Sequence, residues 1–236
     1  MSQVKTQSFD ASDLDKLVIH TQLSEIILVS AESDRIEVTH SLWINGERAT
    51  DMQELEYEVN EGRASLREVR PTVNDINDVW RNSDGQIEGS FQTYGQNPAQ
   101  VHSVKSILEV RVPDNLTLEA TSDYGAIKGQ NLVNLVSVES TYGLVEMIFD
   151  DSLPHDDLKL ISEYAEVDLT LPDHLGAQLF MATEHGDLLS DFDMEIDVQN
   201  SQEDVYLKRV MARLNGGGTR IYCSATYSNI YVRKAK

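Results

Sequence analysis

Leu158-Lys159-Leu160-Ile161-Ser162-Glu163-Tyr164-Ala165-Glu166-Val167-Asp168-Leu169-Thr170-Leu171 is the stretch that decides the fold. Up to the tyrosine, apolar or small residues fall at every second position: Leu158, Leu160, Ser162, Tyr164. Beyond it they resume one step out of phase, at Val167, Leu169 and Leu171. Period two is the strand signature, because successive side chains point to opposite faces. After a slip of one residue the same face can point inward again only if the chain turns or bulges at the Tyr-small pair. The stretch therefore reads as strand, corner, strand, and the small residue suits a corner with positive φ.

Four other segments share the pattern: LEATSDYGAIKGQN (118–131), VSVESTYGLVEMIF (136–149), LFMATEHGDLLSDF (179–192) and IYCSATYSNIYVRK (221–234). The aromatic position holds Tyr124, Tyr142, Tyr164, His185 and Tyr227, each followed by a small residue: Gly125, Gly143, Ala165, Gly186 and Ser228. The intervals are 18, 22, 21 and 42 residues, the last twice 21. A period of about 20 residues is that of a solenoid coil. A sixth copy opens the chain, with Leu17, Ile19, Thr21 and Leu23, then Ile26 and Leu28, and Leu23-Ser24 at the corner. Further strand-like runs lie at Arg35 to Leu42, Leu55 to Val59 and Ala64 to Val69, with a turn at Asn60-Glu61-Gly62. Arg48 to Leu55 is the best helix candidate.

Two segments break the rhythm. Asn74 to Val104 is rich in Asn, Asp, Gln, Gly and Ser, and reads as a loop excursion or functional flap. Asp193 to Gly218 puts a polar stretch where one coil is due, ending in Asn215-Gly216-Gly217-Gly218.

Composition narrows the function classes. The 236 residues carry a net charge of −21, which disfavours nucleic acid and anionic lipid as partners, since both need a basic footprint. A hydrophobic fraction of 40% supports a core, so global disorder is excluded. One cysteine, Cys223, rules out an internal disulfide framework and multi-cysteine metal sites. No run reaches the roughly 18–20 apolar residues of a membrane-spanning helix. Met1-Ser2-Gln3-Val4-Lys5 lacks the apolar run of a secretory signal, which fits a cytosolic protein or an exported one whose leader is absent from this sequence.

Leu214-Asn215-Gly216-Gly217-Gly218, Ile221 and the Ala225-to-Val232 strand resemble the closing motif of the bacterial putative-adhesin family, β-strand-repeat domains of unknown function. Leu108-Glu109-Val110-Arg111-Val112-Pro113, Leu116-Thr117-Leu118 and the Thr/Ser-x-Tyr-Gly corners are similar to its middle region. The resemblance covers residues 8 to 234. It implies a right-handed β-helix-like solenoid and an envelope or exported location, and it brings no catalytic residues. Tyr or His at the corners, and the absence of a leader, depart from the family pattern.

The aligned tyrosines should form a ladder at one edge with a repeat of about 4.8 Å. Such a row can stack on sugar rings, or bury its rings and leave its hydroxyls to water; a residue present in every copy favours the structural role. Asp150-Asp151 and His155-Asp156-Asp157 form the densest acidic loop, without EF-hand or calcium β-roll spacing, and read as a solvated turn. Asp191, Asp193, Glu195 and Asp197 alternate with Phe192, Met194, Ile196 and Val198, as in a half-buried strand with one acidic face. The histidines His20, His40, His102, His155, His174 and His185 show no metal-ligand spacing, and no Ser-His-Asp grouping stands out. Cys223 aligns with inward Ala120, Val138, Leu160 and Met181, as a buried thiol.

The expected fold class is all-β: one domain over 1–236, a right-handed single-stranded β-helix-like solenoid of about 20-residue coils with an excursion at 74–104. The expected function is a non-catalytic, adhesin-like binding or structural module of the bacterial cell envelope, needing no cofactor or metal. Its partner would be a glycan or protein at the cell surface, with no nucleic acid and no membrane insertion, and oligomers are compatible with the fold. The candidate ligand-binding residues are Trp80, Phe91 and Tyr94 in the excursion, aromatics in a polar loop. The alternatives are a carbohydrate-active β-helix enzyme and a cytoplasmic scaffold polymerising through its ends.

Overall fold

The computed structural model describes residues 5–44, 46–49, 52–76, 104–204 and 206–235. In chain order the strands begin β1 (Lys5–Asp10), β2 (Lys16–Thr21), β3 (Glu25–Ala31), β4 (Arg35–Ile44), β5 (Glu47–Arg48), β6 (Glu54–Asn60), β7 (Arg63–Arg70) and β8 (Val104–Pro113). The repeat region follows with β9 (Thr117–Ser122), β10 (Ile127–Gln130), β11 (Leu135–Ser140), β12 (Val145–Ile148), β13 (Leu158–Ser162), β14 (Val167–Leu171), β15 (Ala177–Thr183) and β16 (Leu188–Ser190). The remainder are β17 (Glu195–Ile196), β18 (Gln202–Glu203), β19 (Lys208–Leu214), β20 (Thr219–Ala225) and β21 (Ile230–Lys234). The protein is all-β, built on two large sheets.

Every repeat copy is a strand pair split between the sheets, as the phase slip predicts. The first strands lie in the order β17-β19-β15-β20-β13-β11-β9-β2-β7-β6, and the second strands in the order β1-β4-β8-β3-β10-β12-β14-β21-β16. Neighbouring copies pair in parallel and in register, so equivalent side chains meet. In one sheet Leu66, Ile19, Ala120, Val138, Leu160, Cys223 and Met181 form one inward row. In the other, Ile26, Ile127, Val145, Val167, Ile230 and Leu188 form a second. Apart from partly buried Leu188, all belong to one buried cluster between the sheets.

The order of copies departs from the chain order expected for a simple stack. The pair β20–β21 does not follow β15–β16; it inserts between that pair and β13–β14, parallel to both. The route is set by β19, which runs antiparallel to β15 on its other side. The link from β19 to β20 must therefore step over the start of β15, and glycine makes the step. A Cβ on Gly176 would lie 2.0 Å from the Gly217 carbonyl oxygen, and one on Gly218 2.3 Å from that of Gly176. Gly216 and Gly217 also take φ of 82° and 94°, where a side chain is strained. At the other end β2–β3 inserts in the same manner between β7–β8 and β9–β10.

Two local expectations are corrected. Residues 191–198 do not form one strand: only Glu195 and Ile196 pair, with β19, while Ile196 and Val198 are exposed and Phe192 and Met194 pack on the core. The stretch from Arg48 to Leu55 holds no α-helix where it is described: Arg48 closes β5, Met52 lies in a 3₁₀ turn with its amide on the Ala49 carbonyl at 3.2 Å, and Glu54 opens β6; an α-helical turn lies at 73–76. Of the excursion at 74–104, residues 77–103 lie outside the described residues, and Val104 already belongs to β8.

Candidate functional site

The corners between the sheets carry the most distinctive surface chemistry. Tyr124, Tyr142, Tyr164, Tyr227 and His185 stack in that spatial order, with ring centroids 5.0, 4.9, 5.0 and 5.2 Å apart and planes within 11°. Tyr227 lies between Tyr164 and His185 because β20–β21 is inserted there. Tyr142, Tyr164 and Tyr227 keep 50%, 46% and 49% of their surface in solvent. Tyr206 closes the row edge-on against His185 at 5.8 Å. Since the rings cover one another's faces, sugar-face stacking between the copies has no free ring; a ligand would meet ring edges and a row of hydroxyls. Glu163 beside Tyr164 raises that phenol above its ordinary value, by charge repulsion first and a hydrogen bond second.

Backbone hydrogen bonds set the pitch of the ladder. The amides of Tyr124, Tyr142, Tyr164, Tyr227 and His185 donate to the carbonyls of Gln22, Asp123, Thr141, Glu163 and Thr226 at 2.9–3.0 Å, always onto the preceding copy in space. Two residues before four of the rings, Ser122, Ser140, Ser162 and Thr183 turn inward. Each hydroxyl accepts from the amide just after its ring (Gly125, Gly143, Ala165, Gly186) at 2.9–3.0 Å. These residues, read in the sequence only as small, are the locks of the corner. The role of the following glycine is also corrected. Gly125, Gly143 and Gly186 do not have positive φ; a Cβ on each would lie 1.9–2.0 Å from the carbonyl oxygen of the neighbouring corner. Glycine is there for room.

The ladder needs a first acceptor, and Glu68 supplies it. Its Oε2 accepts from the amides of Gln22, Leu23 and Ser24 at 2.9, 2.8 and 3.1 Å, in place of the carbonyls of a preceding copy. Its Oε1 accepts from the Ser24 hydroxyl and lies 3.4 Å from His40 Nε2. Burial pushes the Glu68 carboxyl up, but hydrogen bonds from His40, Ser24 and Leu23 outweigh it and hold the group below its ordinary value. Ser24, His40 and Glu68 form a Ser-His-acid grouping that the sequence reading missed, but not a catalytic one. Such a triad holds the acid and the serine on opposite ring nitrogens. Here both meet Nε2, Nδ1 has no hydrogen-bond partner, and all three side chains are buried. The available signal was Glu68 and His40 on the inward phase of β7 and β4.

The other sequence candidates separate cleanly. Trp80, Phe91 and Tyr94 lie outside the described residues. In the acidic loop, Asp150 accepts from Gln130 and Asn131, and Asp157 pairs with Arg220 at 2.7 Å. Among the described residues no three His, Cys, Asp or Glu side chains converge as metal ligands. Cys223 is buried in the inward row, and burial pushes its thiol up to about 12.

No protein-family model and no curated protein matches the chain. Among solved structures, a putative cell adhesion protein from Clostridium sporogenes is similar over 99% of this chain and 100% of its own, with a TM-score of 0.60 and 11% identity. That likeness is one of fold. Putative adhesins from Bacteroides fragilis and Parabacteroides merdae align over 100% and 99% of this chain, covering 98% and 97% of their own, at 7% and 10% identity. Their TM-scores are 0.31 and 0.24.

Proposed function

We propose that the chain is a non-catalytic, adhesin-like binding module of the bacterial cell envelope, built as a right-handed β-solenoid with about 20-residue coils. The observation that carries the reading is the half-exposed aromatic ladder, supported by the likeness of fold to the Clostridium sporogenes protein. Burying the rings would satisfy the fold more fully. Keeping a contiguous phenol row in solvent gives a partner regular contact area. The repeat of about 5 Å suits an extended ligand, a surface glycan or protein, whose groups recur along the row.

The test is binding of the labelled protein to envelope glycans and host cells. The triple variant Tyr142→Ser, Tyr164→Ser, Tyr227→Ser is compared with a chain in which 78–99 is replaced by a Gly-Ser linker. Loss only in the triple variant supports the ladder; loss only in the linker chain moves recognition to the segment holding Trp80, Phe91 and Tyr94. Oligosaccharide release from a polysaccharide panel, abolished by a single Asp or Glu substitution, would replace the binding module with an enzyme.

A further inference from the structure

The outward face of β13, β20, β15 and β19 differs from the rest of this acidic protein. Its outward positions hold four bases, Lys159, Arg220, Arg209 and Arg213, and no acid. Across the middle, Lys159, Tyr222, Phe180 and Met211 stand side by side in register. The Phe180 and Tyr222 rings stack at 4.7 Å and form the floor of an open groove of about 310 Å³, with Asn200 on its wall. Lys159 and Arg220 are paired with carboxylates from outside the four strands, Glu139 and Asp157, and Arg213 feels Asp197. Arg209 lies at the rim of the groove, exposed, and has no ion pair among the described residues.

We propose that this groove binds a free fatty carboxylate, with its chain along Tyr222, Phe180 and Met211 and its head group on Arg209. Size and charge choose this occupant. A volume near 310 Å³ lies at the lower end of small-molecule sites, roughly 300–1,000 Å³, whereas a stable protein partner needs about 800 Å² of surface on each side. The apolar floor favours a hydrocarbon body, and an unpaired guanidinium is a planar donor matched to a carboxylate. Against a net charge of −21, which draws cations in general, Arg209, with no ion pair among the described residues, gives this groove a local preference for an anion. The proposal stands apart from the aromatic ladder, which lies at the corner between the sheets.

The test is calorimetric titration of the intact chain, below micelle formation, with dodecanoate and with dodecyltrimethylammonium, its cationic counterpart of equal chain length. Dodecanoate should bind one per chain with a Kd below about 100 μM, and the cation should not bind in that range. Arg209→Gln should weaken dodecanoate about tenfold, while Arg63→Gln, remote on β7, should leave it unchanged. Phe180→Ser should abolish binding, and Arg209→Gln keeps the test valid if that variant fails to fold. Equal binding of the cation, unchanged binding by Arg209→Gln, or no heat with dodecanoate would each overturn the proposal.

Discussion

Glu68 sits at the inward phase of β7, after Ala64 and Leu66, where the alternation calls for an apolar side chain. Its carboxylate ends a hydrogen-bond ladder that otherwise runs from copy to copy, so three amides depend on one residue, which also accepts from the buried Ser24 hydroxyl. Glu68→Gln puts an amide donor among donors and should cost about 3–5 kcal/mol in urea unfolding at pH 7, the range for breaking a buried charged network. The sign with pH follows from the depressed folded pKa. Stability from Glu68 is fully present above its ordinary value of 4.5 and is lost as pH falls through the lower folded value. The unfolding midpoint of the parent should therefore fall on acidification, and that of Glu68→Gln should fall less. At the corner glycines, Gly143→Ala should destabilise by about 1–3 kcal/mol or more, because its Cβ meets the Gly125 carbonyl. A neutral result in thermal denaturation would contradict the close approach of neighbouring corners at this glycine.

Single elements obey the repeat that the sequence displays. Alternation is local and each inward position meets its own equivalent, so Leu160, Cys223 and Met181 could be placed in one row from their positions within the copies alone. Leu160→Ala should cost about 2–5 kcal/mol, as for other fully buried leucines, in urea denaturation. Cys223 should resist thiol reagents in the native state and react on unfolding, since burial raises its pKa to about 12. In the ladder Tyr164 stacks on both sides, and Tyr164→Ala should cost about 1–3 kcal/mol beyond area burial, at about 0.5–1.5 per aromatic pair. A double-mutant cycle with Tyr227→Ala isolates one of those contacts and should leave a coupling in the same range. What local pattern did not reveal is partnership at a distance: Glu68 lies 44 residues from Ser24, and nothing in β7 alone announces the amides it serves.

At the scale of the molecule, the order of the copies was the part least legible in the sequence. All copies share one alternation, so each fits any slot between two others; neither period nor hydrophobicity separates a sequential stack from an inserted one. The decision lies in β19, whose antiparallel course beside β15 leaves the chain on the wrong side, and in Gly176, Gly217 and Gly218, which let it cross back. The 42-residue interval marked the place but suggested a missing coil rather than a returning strand pair. Insertion also fixes the ladder, since Tyr227 joins Tyr164 to His185 only if β20–β21 lies between their copies. Paired cysteines in a Cys223→Ser background test this directly, because register neighbours in adjacent strands fall within the roughly 4.4–6.8 Å Cα separation a disulfide spans. Ile161 and Ala182 are both register partners of Ser224, one on each side. Oxidation should cross-link Ile161→Cys with Ser224→Cys, and Ala182→Cys with Ser224→Cys, but not Ile161→Cys with Ala182→Cys. Efficient cross-linking of the 161–182 pair, with none between 161 and 224, would mean that the copies stack in chain order and would contradict the inserted topology.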